Sequence, residues 1–160
     1  MIMNTNCVNK QPNASNCFVC GTENGKGLGL SFYDDGEALV ETRFTLSDDF
    51  QGYPGVCHGG ILAAILDEVV GRVAMISDHH RFMMTVNMRV QYRNPVPTKT
   101  ALRAEGKVIK LRGRLCKAEG KIFLPDGRVG CEAELTLADM PKELANDQVL
   151  DQLGWRIVRD

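Results

Sequence analysis

The sequence has no apolar run of the roughly 18 to 20 residues that a membrane-spanning helix needs. It has no excess of either charge: 19 Lys and Arg stand against 20 Asp and Glu, a formal net charge of −1. The first absence argues against a membrane partner, and the second removes the global electrostatic basis for binding DNA or RNA. The amino-terminal stretch MIMNTNCVNKQPNAS is polar and carries no apolar signal core, so a cytoplasmic protein is expected. Internal repeats and low-complexity blocks are missing. Cysteine is present, as Cys7, Cys17, Cys20, Cys57, Cys116 and Cys131, but only Cys17 and Cys20 form a CxxC (CFVCG), and no second pair follows at zinc-site spacing. No βαβ pattern surrounds that pair, which argues against a redox motif. The expectation is free thiols, two small buried residues in a turn at 17–20, and no metal.

What is present fits one soluble domain. The chain has 160 residues, 44% hydrophobic and 24% charged, enough to bury a sizeable core. Residues 1–16, polar and Asn-rich, read as a flexible arm. Residues 28–33 (LGLSFY) read as a short strand, DDG at 34–36 as a turn, and 37–46 as an alternating strand with Ala38, Val40, Thr42, Phe44 and Leu46 on one face. SDDFQGYPG is a loop. Residues 59–76 are apolar almost throughout, interrupted by Asp67, Glu68 and Arg72; the run is too long for a strand and predicts a helix buried on most sides. Period two returns at 84–92, then at 101–111, 114–124 and 128–138, with turns near Arg112-Gly113 and at PDG 125–127. Asp139 and Pro141 suit the start of a final short helix within 139–160. The order β-β-α-β-β-β-β with short turns predicts an α+β fold, an antiparallel sheet with one long helix that is either wrapped by that sheet or sandwiched by a partner.

The stretch FQGYPGVCHGGILAAILDE makes this pattern specific. The chain resembles the hotdog fold, in which an antiparallel sheet wraps a central helix. It is similar to the phenylacetate-pathway (PaaI-like) branch of the acyl-CoA thioesterases, whose members carry HGG and then an acid nine residues after the histidine. Here the histidine is His58 and the acid Asp67. The opening CFVCGTENGKGLGLSFYDDG, the strand TVNMRVQYRNPVP and the two hairpins after it are also similar, so the resemblance covers residues 17–138. It implies hydrolysis of an acyl-CoA thioester, with coenzyme A as part of the substrate and no separate cofactor.

The residues support such chemistry on their own terms. Gly59 and Gly60 stand where loop becomes helix, where N–H groups lack internal partners and point outward at the positive end of the dipole. Without side chains they admit a carbonyl oxygen, as an oxyanion hole requires. His58 either caps the helix and supports the loop or contacts the substrate. A carboxylate on an apolar helix is costly unless paired or functional. Asp67 therefore acts as general base, acts as nucleophile, or pairs with an arginine such as Arg72 or Arg89. Glu68, about 100° further round, is the supporting or partly solvated acid.

Gly59 and Asp67 are about 12 Å apart along the helix at 1.5 Å per residue, too far to serve one carbonyl. Two antiparallel helices from two subunits solve this, so the chemistry predicts a homodimer with sites across the interface, as the resemblance also implies; a dimer of dimers is a further arrangement. In similar thioesterases a Ser or Thr matching Thr85 holds the attacking water or acid, although Thr is also an ordinary strand residue. Gln51 in the loop, and Asn87 on the face of Thr85, complete the substrate-contacting polar set. The locally basic stretch 89–117 faces only Glu105 in sequence; within it Arg93, Arg112 and Arg114 are candidates for the phosphates of coenzyme A, against the alternative of a solvated sheet surface. Tyr53, Met83, Met84 and Met88 are candidates for the acyl pocket. His79 and His80 read as solvated. Two other functions share the fold. A hotdog hydratase or dehydratase carries His-Phe-Pro where this chain has His58-Gly-Gly, and a non-catalytic acyl-CoA-binding module needs no acid at Asp67.

Overall fold

The computed structural model describes residues 6–160. In chain order the elements are β1 (Asn9–Lys10), β2 (Tyr33–Asp34), β3 (Leu39–Phe44), β4 (Gln51–Tyr53), β5 (Val56–Cys57), α1 (Gly59–Gly71), β6 (Met83–Tyr92), β7 (Leu102–Arg112), β8 (Leu115–Phe123), β9 (Val129–Asp139) and α2 (Asp147–Leu153). Seven strands form one antiparallel sheet in the order β1-β2-β3-β7-β8-β9-β6, while β4 and β5 pair separately. This is the predicted α+β hotdog architecture, with the short β1, β4 and β5 added, and with the strand expected at 28–33 reduced to Tyr33–Asp34, one residue into the expected DDG turn. The turns at Gly113 and Gly127 have φ of 58° and 86°, a backbone region that favours glycine.

Helix α1 is seated by its spacing and by what the sheet leaves out beneath it. Leu62, Ile65, Leu66, Val69 and Val70 recur every three or four residues and are all buried, packing mainly on β7 and β8. Gly106 of β7 and Gly120 of β8 are directly paired across the sheet. A Cβ at Gly106 would lie 2.7 Å from the Val69 carbonyl oxygen, and one at Gly120 would lie 2.6 Å from Val70 Cγ2. The two missing side chains form a notch that lets the helix backbone approach the sheet. The helix is shorter than predicted. It ends at Gly71, and Val73–Ile76 tighten into a 3₁₀ turn after Arg72. Arg72, 1% exposed, lies against the rings of Phe32 (4.3 Å) and Trp155 (5.5 Å) and donates to the Pro12 carbonyl at 2.9 Å.

Three expectations are corrected. Residues 1–5 of the expected arm lie outside the described residues, but Gln11 to Ser15 within it are buried rather than loose. Gln11 Nε2 donates to Asp34 Oδ2 at 2.8 Å, and Asn13 Nδ2 donates to the carbonyls of Cys20 (2.7 Å) and Leu30 (3.0 Å). The side-chain amides that make this stretch look solvated donate instead to a buried carboxylate and to buried backbone carbonyls. The last helix begins at Asn146, whose side chain accepts from the Val149 amide, whereas Asp139 ends β9 and pairs with Arg81. On β6 the alternation slips at a bulge between Thr85 and Asn87. Of the apolar face expected there, Met88 and Val90 are half-buried, while Met84, Val86 and Tyr92 are exposed along an edge strand.

The notch sets a measurable cost. Gly106→Ala is expected to destabilise the fold by about 1 to 3 kcal/mol through overpacking against α1, and Gly120→Ala by a similar or smaller amount because its nearest neighbour is a side-chain methyl. Denaturant midpoints at unchanged m-value would check this. Wild-type midpoints in both variants would mean that the helix does not need the notch.

Candidate active site

The start of α1 is organised by His58. Its backbone is extended (φ −65°, ψ 133°), and its Nδ1 accepts from the Gly60 N–H at 2.9 Å. The histidine therefore caps the helix, and Gly60 is not a free donor. The Ile61 and Leu62 amides both reach the His58 carbonyl, which leaves the Gly59 N–H without an intramolecular partner among the described residues. Tyr92, at the end of β6, donates its hydroxyl to the Gly59 carbonyl at 2.8 Å. A Cβ at Gly59 would lie 3.2 Å from that ring. These groups open on a cavity of about 550 Å³ lined by residues that include Tyr53, His58, Gly59, Tyr92 and Arg93.

Asp67 faces a different cavity, of about 330 Å³, at the far end of the helix. Thr85 Oγ1 donates to Asp67 Oδ1 at 2.6 Å, so the strand residue singled out from sequence does meet the acid. The arginine pairing weighed for Asp67 falls instead to Glu68. Arg72 Nε donates to Glu68 Oε1 at 2.9 Å, one helical turn along, and the Glu68 side chain is 23% exposed. Met75, Phe82, Met83 and Met84 give this cavity an apolar wall. Leu153 and Trp155 from the carboxyl-terminal segment also line it. Trp155 is fixed by an edge-on contact with Phe82 at 5.1 Å and by donation from its indole Nε1 to the His79 carbonyl.

The other candidates divide. Gln51 is exposed and turned back on its own loop, its Oε1 accepting from the Gly55 amide at 3.2 Å; it does not line the Gly59 cavity. Asn87 is exposed beyond the bulge and lines neither cavity. Arg93 lines the Gly59 cavity and is held by Glu132, with Nε to Oε1 at 2.8 Å. Arg112 and Arg114 flank the β7–β8 turn, next to the Asp139 end of β9, which pairs with the opposite end of β6 from Tyr92. The basic stretch is thus not one patch within a chain. Several of its members have acidic partners on other elements: Arg103 with Glu41, besides Glu105 on its own strand, Lys107 with Glu119, and Lys99 with Asp48. Tyr92 and Trp155 were missing from the sequence-based set. Contact between Tyr92 and Gly59 is a tertiary fact, whereas the single Trp of the chain was a usable signal.

Residues 54–131 match the thioesterase superfamily. The acyl-coenzyme A thioesterase THEM4 of Rattus norvegicus is 30% identical over 98 residues, covering 61% of this chain and 41% of that protein. Its Xenopus laevis counterpart is 32% identical over 91 residues, covering 55% and 40%. The chain spans about two fifths of the length of these relatives. A solved thioesterase superfamily protein superposes with a TM-score of 0.69 at 32% identity, covering 78% of this chain and 60% of the other. A hypothetical thioesterase from Streptococcus pneumoniae, solved with coenzyme A, shares the fold with a TM-score of 0.60 at 20% identity, covering 65% and 80%. The matched stretch holds His58, Gly59, Gly60, Asp67 and Thr85, and over that stretch and in its fold this chain is similar to proteins of the thioesterase superfamily.

Proposed function

We propose that the chain hydrolyses an acyl-CoA thioester to coenzyme A and a carboxylic acid, in sites shared between two subunits of a homodimer. The observation that carries this reading is the separation of two complementary half-sites on one helix: a free amide at Gly59, and an acid held by Thr85 at Asp67. The two half-sites line different cavities. The thioester carbonyl oxygen accepts from the Gly59 N–H of one subunit, and the helix dipole favours the charge that grows on it. Gly60 takes part through its bond to His58, which fixes the amide that remains.

Asp67 of the facing subunit takes the proton of a water molecule as its oxygen attacks the carbonyl carbon. Thr85 occupies one carboxylate oxygen and leaves the other for the water. The tetrahedral intermediate collapses, the carbon–sulfur bond breaks, and the sulfur of coenzyme A leaves with the proton. Direct attack by Asp67, through an anhydride that water then opens, uses the same geometry. Arg93 and the Arg112–Arg114 turn lie at opposite ends of β6, with Thr85 and Arg93 roughly 26 Å apart at about 3.3 Å per residue. Antiparallel pairing about a two-fold axis brings one subunit's Arg93 end beside its partner's Arg112–Arg114 end, on the rim where the phosphates of coenzyme A are expected. The exposed edge of β6, with Met84, Val86 and Tyr92, is the surface such pairing would cover.

Free-thiol release from a panel of acyl-CoAs tests the reading. Wild type is expected to turn over at least one acyl class, and Asp67→Asn to lose about a hundredfold or more in kcat with the oligomer intact. Binding of acyl-CoA with no turnover by wild type would replace the hydrolase with a binding module. Tyr92→Phe, which releases the Gly59 carbonyl, is expected to lower kcat/KM about fivefold, the equivalent of ~1 kcal/mol. An unchanged kcat/KM in that variant would remove Tyr92 from the positioning of the helix start.

A further inference from the structure

Cys17 and Cys20 do not stand alone, as the sequence led us to expect. Their sulfurs and a carboxylate oxygen of Glu68, contributed by α1 far along the chain, all lie within 4.8 Å of one another. We propose that Cys17, Cys20 and Glu68 form a binding site for a zinc-class divalent cation, which ties the amino-terminal turn to the helix that carries Asp67.

The turn has the form of a thiolate cradle. The amides of Val19 and Cys20 both donate to Cys17 Sγ, each at 3.4 Å. The Gly21 amide closes the turn on the Cys17 carbonyl at 2.9 Å. Only glycine fits at position 21, because a Cβ there would lie 2.2 Å from that carbonyl oxygen. The turn is anchored from outside by Asn13 on the Cys20 carbonyl and by the Leu28 and Leu30 amides on the Phe18 and Val19 carbonyls. The sulfur positions are therefore set in advance. A metal takes cysteine as the thiolate, so binding here releases the thiol protons.

Glu68 completes the donor set in the manner of a supported ligand. Arg72 holds Oε1 at 2.9 Å, while Oε2 is turned toward Cys17 Sγ at 3.8 Å. Sulfur and oxygen donors bound tetrahedrally at about 2.3 and 2.1 Å sit roughly 3.6 Å apart, so little movement separates this arrangement from ligation. An outer hydrogen bond that orients a ligating carboxylate is usual in metal sites. The charges also balance: two thiolates and a carboxylate against a divalent cation and the Arg72 guanidinium. Two sulfur donors favour zinc over magnesium or calcium, which take oxygen. Three protein donors leave one tetrahedral position for water, and all three line the cavity that contains Asp67.

The test uses the full chain, reduced and dialysed against Zn²⁺, with metal content measured by mass spectrometry and Co²⁺ substitution followed by thiolate-to-cobalt absorption. Stoichiometric zinc is expected in wild type. The cobalt band should be lost in Cys17→Ser and in Cys20→Ser, and Glu68→Gln should weaken zinc binding about tenfold or more. Maleimide labelling of wild type supplies a readout that needs no variant. Zinc should slow modification of Cys17 and Cys20 and leave that of Cys7 unchanged; burial and nearby acids push the Cys7 thiol up to about 11. Zinc far below one per chain, equal zinc in the serine variants, or labelling of Cys17 and Cys20 indifferent to zinc would overturn the proposal. So would a Cys17–Cys20 disulfide that forms equally with and without the metal.

Discussion

A helix does not stretch, and the rest of this molecule is arranged around that fact. Gly59 and Asp67 share one rigid rod, about 12 Å apart along its axis, so the amide end and the acid end cannot act on one carbonyl within a chain. Each end is finished separately. His58 and Tyr92 set the first turn of α1 from the loop and from β6, while Thr85 meets the acid from the other end of the same strand. One strand thus supports both ends of one helix, and the distance between Gly59 and Asp67 is fixed by two regular elements packed side by side.

That packing depends on close approach. The Gly106–Gly120 pair lets the Val69–Val70 turn sit on the sheet, and this fixes the height at which Asp67 and Glu68, just before it, project into their cavity. The amino-terminal segment closes the opposite side through Asn13 and the Cys17–Gly21 turn, and the carboxyl-terminal segment adds Leu153 and Trp155. Arg72 joins these layers. Buried beneath Phe32 and Trp155, it holds Glu68 and the Pro12 carbonyl at once. Glu68 is then occupied by structure, and Asp67, one residue away on another face, is left with a hydroxyl partner.

Much of this was legible in the sequence, for reasons tied to particular residues. The strands of the two carboxyl-terminal hairpins follow from period-two alternation and from turns at Gly113 and Gly127, which are local properties. The helix follows from an apolar run too long for a strand, and the acid at Asp67 from its cost in such a run. Features that depend on distant partners were not legible. The bulge at Thr85 and Asn87 turned an alternating strand into a largely uncovered edge. Asn13 and Gln11 looked solvated because a side-chain amide reads the same whether it bonds water or a buried carbonyl. The basic stretch looked unopposed because its acids, Glu41, Glu119 and Asp48, lie on other elements. Cys17 and Cys20 lacked a third donor until the fold brought Glu68 to them.

The central claim, a site built from the helix start of one subunit and the acid of another, is tested most directly by mixing two disabled chains. Asp67→Ala removes the acid, and Gly59→Ala crowds the helix start against Tyr92. Each homodimer should be inactive in thiol release. A mixed dimer of the two keeps one intact site, so refolding or co-expression together should restore thiol release to about half the wild-type rate per mixed dimer, from one of two sites. Failure of the mixed dimer to recover activity, with each parent folded and dimeric, would place the whole site within a single chain and contradict the arrangement described here.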